Sequence, residues 1–173
     1  GDGLANRSEV RVPTAAEFAM PAGWRNIRLG YTPMTREARL HEWKRKAVLA
    51  FNRANRLDRI VFTGGAQPRI GIATTGKSYL DTRQALDMLG LDEARCDALG
   101  LRLYKIAMVW PLEPQGIARL ADGLDEIMVI EEKRSLIETQ IKEQLYHAEH
   151  RPRIVGKKDA AGEWLFPAAG ALD

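Results

Sequence analysis

Three stretches of the chain put chemically capable residues at short spacing. The first is Gly71-Ile72-Ala73-Thr74-Thr75-Gly76-Lys77-Ser78, a formal match to the phosphate-binding loop: glycine, four residues, Gly-Lys-Ser. Such a loop wraps a nucleotide triphosphate with backbone amides while the lysine reaches the phosphates from the following helix. The second is Glu131-Glu132-Lys133, after an apolar run, where paired carboxylates could do acid–base work or bind a cation. The third is Trp110-Pro111-Leu112, an aromatic able to pack a turn or to stack on a ligand. Cys96 is the one cysteine, and His41, His147 and His150 are the histidines.

Each has a plainer reading. A phosphate loop needs its strand to end before the first glycine, yet Ile70, Ile72, Ala73, Thr74 and Thr75 read as strand that runs through the supposed loop. An apolar strand ending in aspartate, needed to hold magnesium, is also absent; "IMVIEE" ends in glutamates. The plainer reading is a tight turn at Gly76 and a helix capped by Ser78. For Glu131 and Glu132 it is a solvated strand end or a salt-bridged domain interface. For Trp110 it is packing against a turn. One thiol makes no intrachain disulfide and holds no iron–sulfur cluster alone, so Cys96 reads as a small buried hydrophobe. The histidines lack metal-ligand spacing and read as surface residues. No Ser-His-Asp set or dinucleotide glycine fingerprint is visible.

These residues need elements to hold them. The 173 residues suffice for one domain with a core. The 26 basic and 23 acidic residues are interleaved, giving a formal charge of +3 with no basic block, which argues against a nucleic-acid partner. No apolar run is long enough for a membrane span, and no signal peptide is read. With one cysteine, a reduced, cytoplasmic setting is the expectation. The start at Gly1 rather than Met points to a piece of something longer.

Residues 1–33, with Pro13, Pro21, Gly23, Gly30 and Pro33, read as a linker or arm. Thr32-Pro33 starts a helix of about six turns ending near Asp58. Its apolar stripe is Leu40, Trp43, Ala47, Ala50, Ala54 and Leu57, opposite Arg36, His41, Lys44 and Arg45. "RIVF" reads as a short strand. "RIGIATT", "LRLYKIAMVW", "LDEIMVIEEK" and "RPRIVGKKD" then read as strands, separated by helices in "SYLDTRQALDMLG", "DEARCDALG", "PLEPQGIARLADG" and "RSLIETQIKEQLYHAEH". Gly90 and Gly100 stop two of the helices, and Asp92 caps one. This alternation predicts an α/β fold with a mostly parallel sheet covered on both faces. The domain boundaries follow: arm 1–33, helix 34–58, α/β domain 59–158, and tail or linker 159–173.

Taken in order, "GIATTGKSYLDTRQALDMLG", "WPLEP", "IEEKRSLIETQIKEQLY" and "RPRIVGK" resemble the 2-oxoacid:ferredoxin oxidoreductases, most of all the indolepyruvate ferredoxin oxidoreductase branch. The resemblance covers about 26–158, reaching back through "NIRLGYTPMTREARLHEWKRKAVLAFNRANRLDRIVF". It implies a transketolase C-terminal-like domain: a three-layer α/β/α sandwich around a five-stranded mixed sheet with one antiparallel strand, the expectation being that "RIVF" or a segment near it supplies an extra strand. It implies an enzyme that oxidatively decarboxylates a 2-oxo acid with coenzyme A and passes electrons to ferredoxin. Thiamine diphosphate, magnesium and [4Fe-4S] clusters are implied for that enzyme. The Gly-Asp-Gly…Asn fingerprint and the cluster cysteines are missing here, and Gly1-Asp2-Gly3 lacks the context. The expectation is a non-catalytic assembly domain, without cofactor of its own, inside a parent that is a homodimer. Its partners would be the parent's other domains. Its functional edge would be Thr75, Gly76, Lys77, Ser78, Trp110, Glu131, Glu132 and Lys133. The alternatives are a stand-alone nucleotide-binding protein using the Gly71 to Ser78 motif, or a plain interaction module docking through the long helix.

Overall fold

The computed structural model describes residues 10–19 and 30–170. The Gly1–Gly3 motif, Pro21, Gly23 and the Asn26 end of the resemblance lie outside the described residues. The chain divides into two compact units, Gly1–Leu57 and Asp58–Asp173.

In the first unit, a 3-10 turn at Ala15–Phe18 precedes the helical run. Helix α1 spans Pro33–Arg39; the Thr32 hydroxyl accepts the Thr35 amide and Pro33 supplies the first turn. A π-helical turn, Leu40–Lys44, joins it to α2, Arg45–Asn55. In that turn the Arg45 amide reaches back five residues to Leu40 O. The extra residue advances the helix face by about 100°. The stripe read at an unbroken helical period therefore fails at its start, where Leu40 is exposed and Arg39 buried; further on Ala50 is buried and Trp43, Ala47, Ala54 and Leu57 are half-buried, as read. The helix also stops three residues short of Asp58, with Arg56 at φ +49. Arg11 and Asn55 exchange two hydrogen bonds of 2.8 Å, Arg11 N to Oδ1 and Nδ2 to Arg11 O, which holds residue 11 against the end of α2.

The second unit is a five-stranded sheet in the order β1-β3-β2-β4-β5. Its strands are β1 Arg59–Phe62, β2 Ile70–Thr75, β3 Leu101–Ile106, β4 Glu126–Ile130 and β5 Arg153–Val155. β1 runs antiparallel to β3; every other pairing is parallel. The strands are joined by α3 Gly76–Met88, α4 Glu93–Leu99, α5 Pro114–Ala121 and α6 Ile137–Leu145. Successive strand residues point to opposite faces, and neighbours accordingly fall into different cores. Ala73, Tyr104 and Val129 pack with Ile117 and Leu120 of α5 and Ile141 of α6. Ile72, Leu103 and Ile130 pack with Tyr79 and Leu86 of α3 and Cys96 of α4. This is the three-layer α/β/α sandwich that the alternation predicted, and "RIVF" is its antiparallel strand.

Local caps follow the expected chemistry at α4: the Asp92 carboxylate accepts the Arg95 amide, and Gly100 closes the helix at φ +73. α3 does not. It begins at Gly76, with Thr75 in the cap position and Ser78 inside the first turn, buried. The expectation that Ser78 caps this helix is overturned. Gly76, at φ +53, takes the turn in one residue, so the cap falls at Thr75, three residues before Ser78. α6, by contrast, starts late, at Ile137 rather than Arg134.

Candidate functional site

The register places the ends of three strands level. Thr75 pairs with Ile106, and Thr74 with Ile130. Residues 75–78, 107–112 and 131–133 therefore leave the sheet along one edge, its carboxyl edge. The exit of β2 turns to α3 on one face, while the exits of β3 and β4 turn to α5 and α6 on the other. In open α/β sheets such a switch point is where ligand crevices open. All eight residues singled out in the sequence come to this edge.

Their roles there differ. The motif from Gly71 to Ser78 is not a phosphate loop. Ile70 to Thr75 is one extended strand paired on both sides, so the nucleotide-binding alternative loses the wrapped backbone it needs. Gly71 serves packing: a Cβ there would lie 2.5 Å from Leu124 Cδ1 in the core. Thr75 Oγ1 donates to Ile106 O at 2.7 Å, tying the exits of β2 and β3. Lys77 Nζ pairs with Asp81 at 2.8 Å on the exposed first turn of α3. Gly71→Ala should destabilise the fold by about 1–3 kcal/mol through core overpacking. Lys77→Ala, which loses an exposed i,i+4 pair, should change stability by under about 0.5 kcal/mol. Urea unfolding of both variants checks this, and equal losses would overturn the packing role of Gly71.

Glu131 corrects the reading as a solvated strand end or salt-bridged interface. It is buried, and its carboxylate caps α6 from six residues upstream. Oε2 accepts the amides of Leu136 and Ile137 at 3.0 Å each, and Oε1 accepts that of Glu138 at 3.2 Å. Three of the amides that a helix start leaves without intrahelical partners are thereby satisfied, at the positive end of the helix dipole. Glu132 is half-buried and Lys133 exposed. Lys133 Nζ donates to Gly170 O at 2.6 Å. Trp110 is 47% exposed at the edge.

Several residues that build this edge were not singled out in the sequence. Asp58 Oδ1 accepts the amides of Ala107 and Met108 at 2.7 and 3.0 Å, steering the exit of β3. Gln140 on α6 accepts Leu112 N at 3.1 Å and donates to Val109 O at 2.9 Å, and so holds the turn that carries Trp110. Glu113, buried, accepts the amides of Gln115 and Gly116 and caps α5. "EP" before a helical stretch was a readable sign of this cap. Tyr104 rises from β3 beneath it, with its hydroxyl buried and without a hydrogen-bond partner. Burial pushes that phenol well above the ordinary tyrosine range, helped by the charges of Asp58 and Glu113 and opposed by Arg119.

Behind the edge lies a buried cluster. Lys157 Nζ donates to the carbonyls of Glu131, of Glu132 at 3.1 Å and of Pro167 at 2.7 Å. Burial lowers its pKa; Glu131, Glu132 and Glu138 oppose that shift. Glu138 accepts the Ser135 hydroxyl at 2.8 Å, the Lys157 amide at 3.1 Å and the Lys142 ammonium at 2.6 Å. Burial alone would raise the Glu138 pKa, but these hydrogen bonds outweigh it and the net shift is downward.

The implied cofactors do not fit these residues. Cys96 is fully buried in α4, donates weakly to Leu91 O at 3.6 Å, and is the chain's one thiol, so no set of thiolates can ligate a cluster. Burial also raises its pKa. Among the described residues no three of His, Cys, Asp and Glu converge to hold the magnesium that thiamine diphosphate brings. Among the same residues, no helix is long and apolar enough to cross a membrane.

The chain is 27% identical over 94 residues to the indolepyruvate oxidoreductase subunit IorA of Thermococcus kodakarensis. That alignment covers 54% of this chain and 13% of the relative, so the chain spans a small part of that protein's length. Among solved structures, a 2-oxoglutarate:ferredoxin oxidoreductase from Magnetococcus marinus, with 2-oxoglutarate, coenzyme A and succinyl-CoA bound, is 17% identical at a TM-score of 0.44. The match covers 73% of this chain and 21% of that one. A split-gene transketolase, an inactive β4 tetramer, is 13% identical at a TM-score of 0.44, covering 69% of this chain and 47% of that one. The model of the indolepyruvate oxidoreductase domain matches residues 60–173, the whole sheet but for its first residue, and the chain belongs to that family.

Proposed function

We propose that this chain is a non-catalytic assembly domain of a 2-oxoacid:ferredoxin oxidoreductase that acts on indolepyruvate. The parent enzyme would decarboxylate its substrate oxidatively with coenzyme A, using thiamine diphosphate and iron–sulfur clusters held by its other domains, and reduce ferredoxin. In this reading 59–158 is the α/β domain, 1–33 and 34–58 its arm and helix, and 159–173 a tail. Family membership supports the context.

The observation that carries the non-catalytic role is the state of Glu131. It is the best-placed acid–base candidate, and both its oxygens accept helix amides. A carboxylate with both oxygens committed to helix amides has its acceptor sites occupied and is poorly placed to exchange protons with a substrate. Nearby, Glu132, Lys133 and Trp110 present charge and an aromatic surface at the carboxyl edge, a combination suited to a neighbouring domain.

The test uses the complete enzyme. Reversing both edge charges, Glu132→Lys with Lys133→Glu, should reduce turnover or subunit assembly by about tenfold, as misplaced interface charges do. Size-exclusion chromatography and indolepyruvate-dependent ferredoxin reduction read the two effects. Wild-type values for both would remove the edge from the interface. Decarboxylation of indolepyruvate by the 173-residue chain alone would overturn the non-catalytic role.

A further inference from the structure

We infer that residues 158–170 form a releasable strap, latched to the carboxyl edge of the sheet by the Lys157 ammonium. The segment folds on itself. Asp159 N donates to Glu163 O at 2.9 Å, and the Asp159 carboxylate accepts the amides of Ala161 and Glu163 at 2.9 Å. Lys158 and Trp164 form an isolated bridge, with the lysine ammonium 5.0 Å from the indole centroid. None of the residues from 158 to 170 is buried; Asp159 and Phe166 are half-buried and the rest exposed. A segment with no buried side chain belongs to the least stable part of a fold, where opening costs little.

Its attachment runs largely through one buried residue. Lys157 is 5% exposed, between Gly156 and the strap. Its carbonyl accepts the amides of Leu165 and Phe166 at 2.9 and 3.3 Å, which closes the strap's loop. Its ammonium bridges Pro167 O on the strap to the carbonyls of Glu131 and Glu132 at the exit of β4. The three donors of an ammonium are thus matched by three carbonyl acceptors, two on the domain and one on the strap. The bond from Lys133 Nζ to Gly170 O is the further tie at the strap's far end. Gly156 lets the chain pass: a Cβ there would lie 2.3 Å from Glu138 Oε2, so the latch is seated against the buried carboxylate. While the strap is latched, Lys133 is occupied by Gly170. Its release would give Lys133 to a neighbour at that edge, a consequence that rests on the proposed function, whereas the latch itself does not.

Amide hydrogen exchange on the 173-residue chain tests the latch. In Lys157→Met the amides of 158–166 should exchange at least about tenfold faster, while those of β2, β3 and β4 keep their wild-type rates. Unchanged strap amides would overturn the latch. So would acceleration throughout the sheet, because Lys157 would then support the domain rather than the strap. Leu165→Pro provides a variant that leaves the buried lysine in place and deletes one donor on the strap. It should speed exchange in 158–166 alone, and unchanged rates there would show that the strap is not a separate opening unit.

Discussion

Glu131→Ala is expected to lower the melting temperature by roughly 10 °C, the largest effect of any single change at the carboxyl edge. The loss has two parts. Three amides at the start of α6 lose a charged acceptor. Capping contributes about 0.5–2 kcal/mol, and hydrogen bonds to a charged group about 1.5–3 kcal/mol each before non-additivity. The buried Lys157 ammonium also loses an opposing charge. Together these come to about 3 kcal/mol, which for a unit of this size corresponds to a shift of roughly 10 °C. Glu131→Gln keeps one acceptor oxygen but turns an amide group toward a helix donor, and should lose about half as much. Glu132→Gln keeps the backbone carbonyl that accepts from Lys157 and removes only the more distant effect of its charge on that ammonium, so it should lose under about 1 kcal/mol. Differential scanning calorimetry of the three variants decides the matter; equal shifts at 131 and 132 would end the capping assignment.

The second large effect lies under α5. A Cβ at Gly116 would stand 2.2 Å from the Tyr104 hydroxyl, inside the van der Waals contact distance. Glycine to alanine within a helix ordinarily stabilises by about 1 kcal/mol. Here the clash should outweigh that gain, because both residues are buried and overpacking costs about 1–3 kcal/mol or more. Gly116→Ala is expected to lose about 2 kcal/mol net. Tyr104→Phe removes the oxygen that causes the clash. That hydroxyl has no hydrogen-bond partner among the described residues, so its removal should be neutral or stabilising. The double variant should therefore be more stable than Gly116→Ala alone by about 2 kcal/mol. Urea denaturation of the four proteins measures the coupling. Strict additivity would mean that the helix backs away from the sheet and never feels the phenol.

These two contacts also mark the limit of what local pattern conveys. Strand and helix alternate in the sequence as they do in the fold, because each strand buries two faces and each helix one, and both leave periodic signatures. Caps formed within three residues were legible too: Thr32 before Pro33, and Asp92 with Gly100 around α4. Glu131 was seen as a candidate for chemistry and not as a cap, since its first partner, Leu136, lies five residues on and no capping pattern spans that gap. The π turn at Leu40–Lys44 leaves no mark that a helical period would detect, and one added residue was enough to put the first residue of the stripe, Leu40, on the exposed side. At Gly71 and Gly116 a glycine is required by an atom arriving from elsewhere in the chain, Leu124 in one case and Tyr104 in the other. Gln140 and Lys157 act across similar separations. The carboxyl edge was thus readable as a place, and the division of labour within it was not.

The pairing of β1 with β3 bears on how the chain is made. About 40 residues separate Phe62 from Leu101, and β1 lies at the sheet's margin, with no strand beside it other than β3 among the described residues. At typical synthesis rates, about 5–20 residues per second, the Ile60-Val61-Phe62 run waits roughly 2–8 s for its partner to leave the ribosome. β2 is made in that interval and also has no partner until β3 arrives. The first pairings possible in this sheet thus depend on one late strand, which then organises both earlier ones. Until then, two apolar segments stand exposed on the nascent chain, which gives a chaperone something to hold.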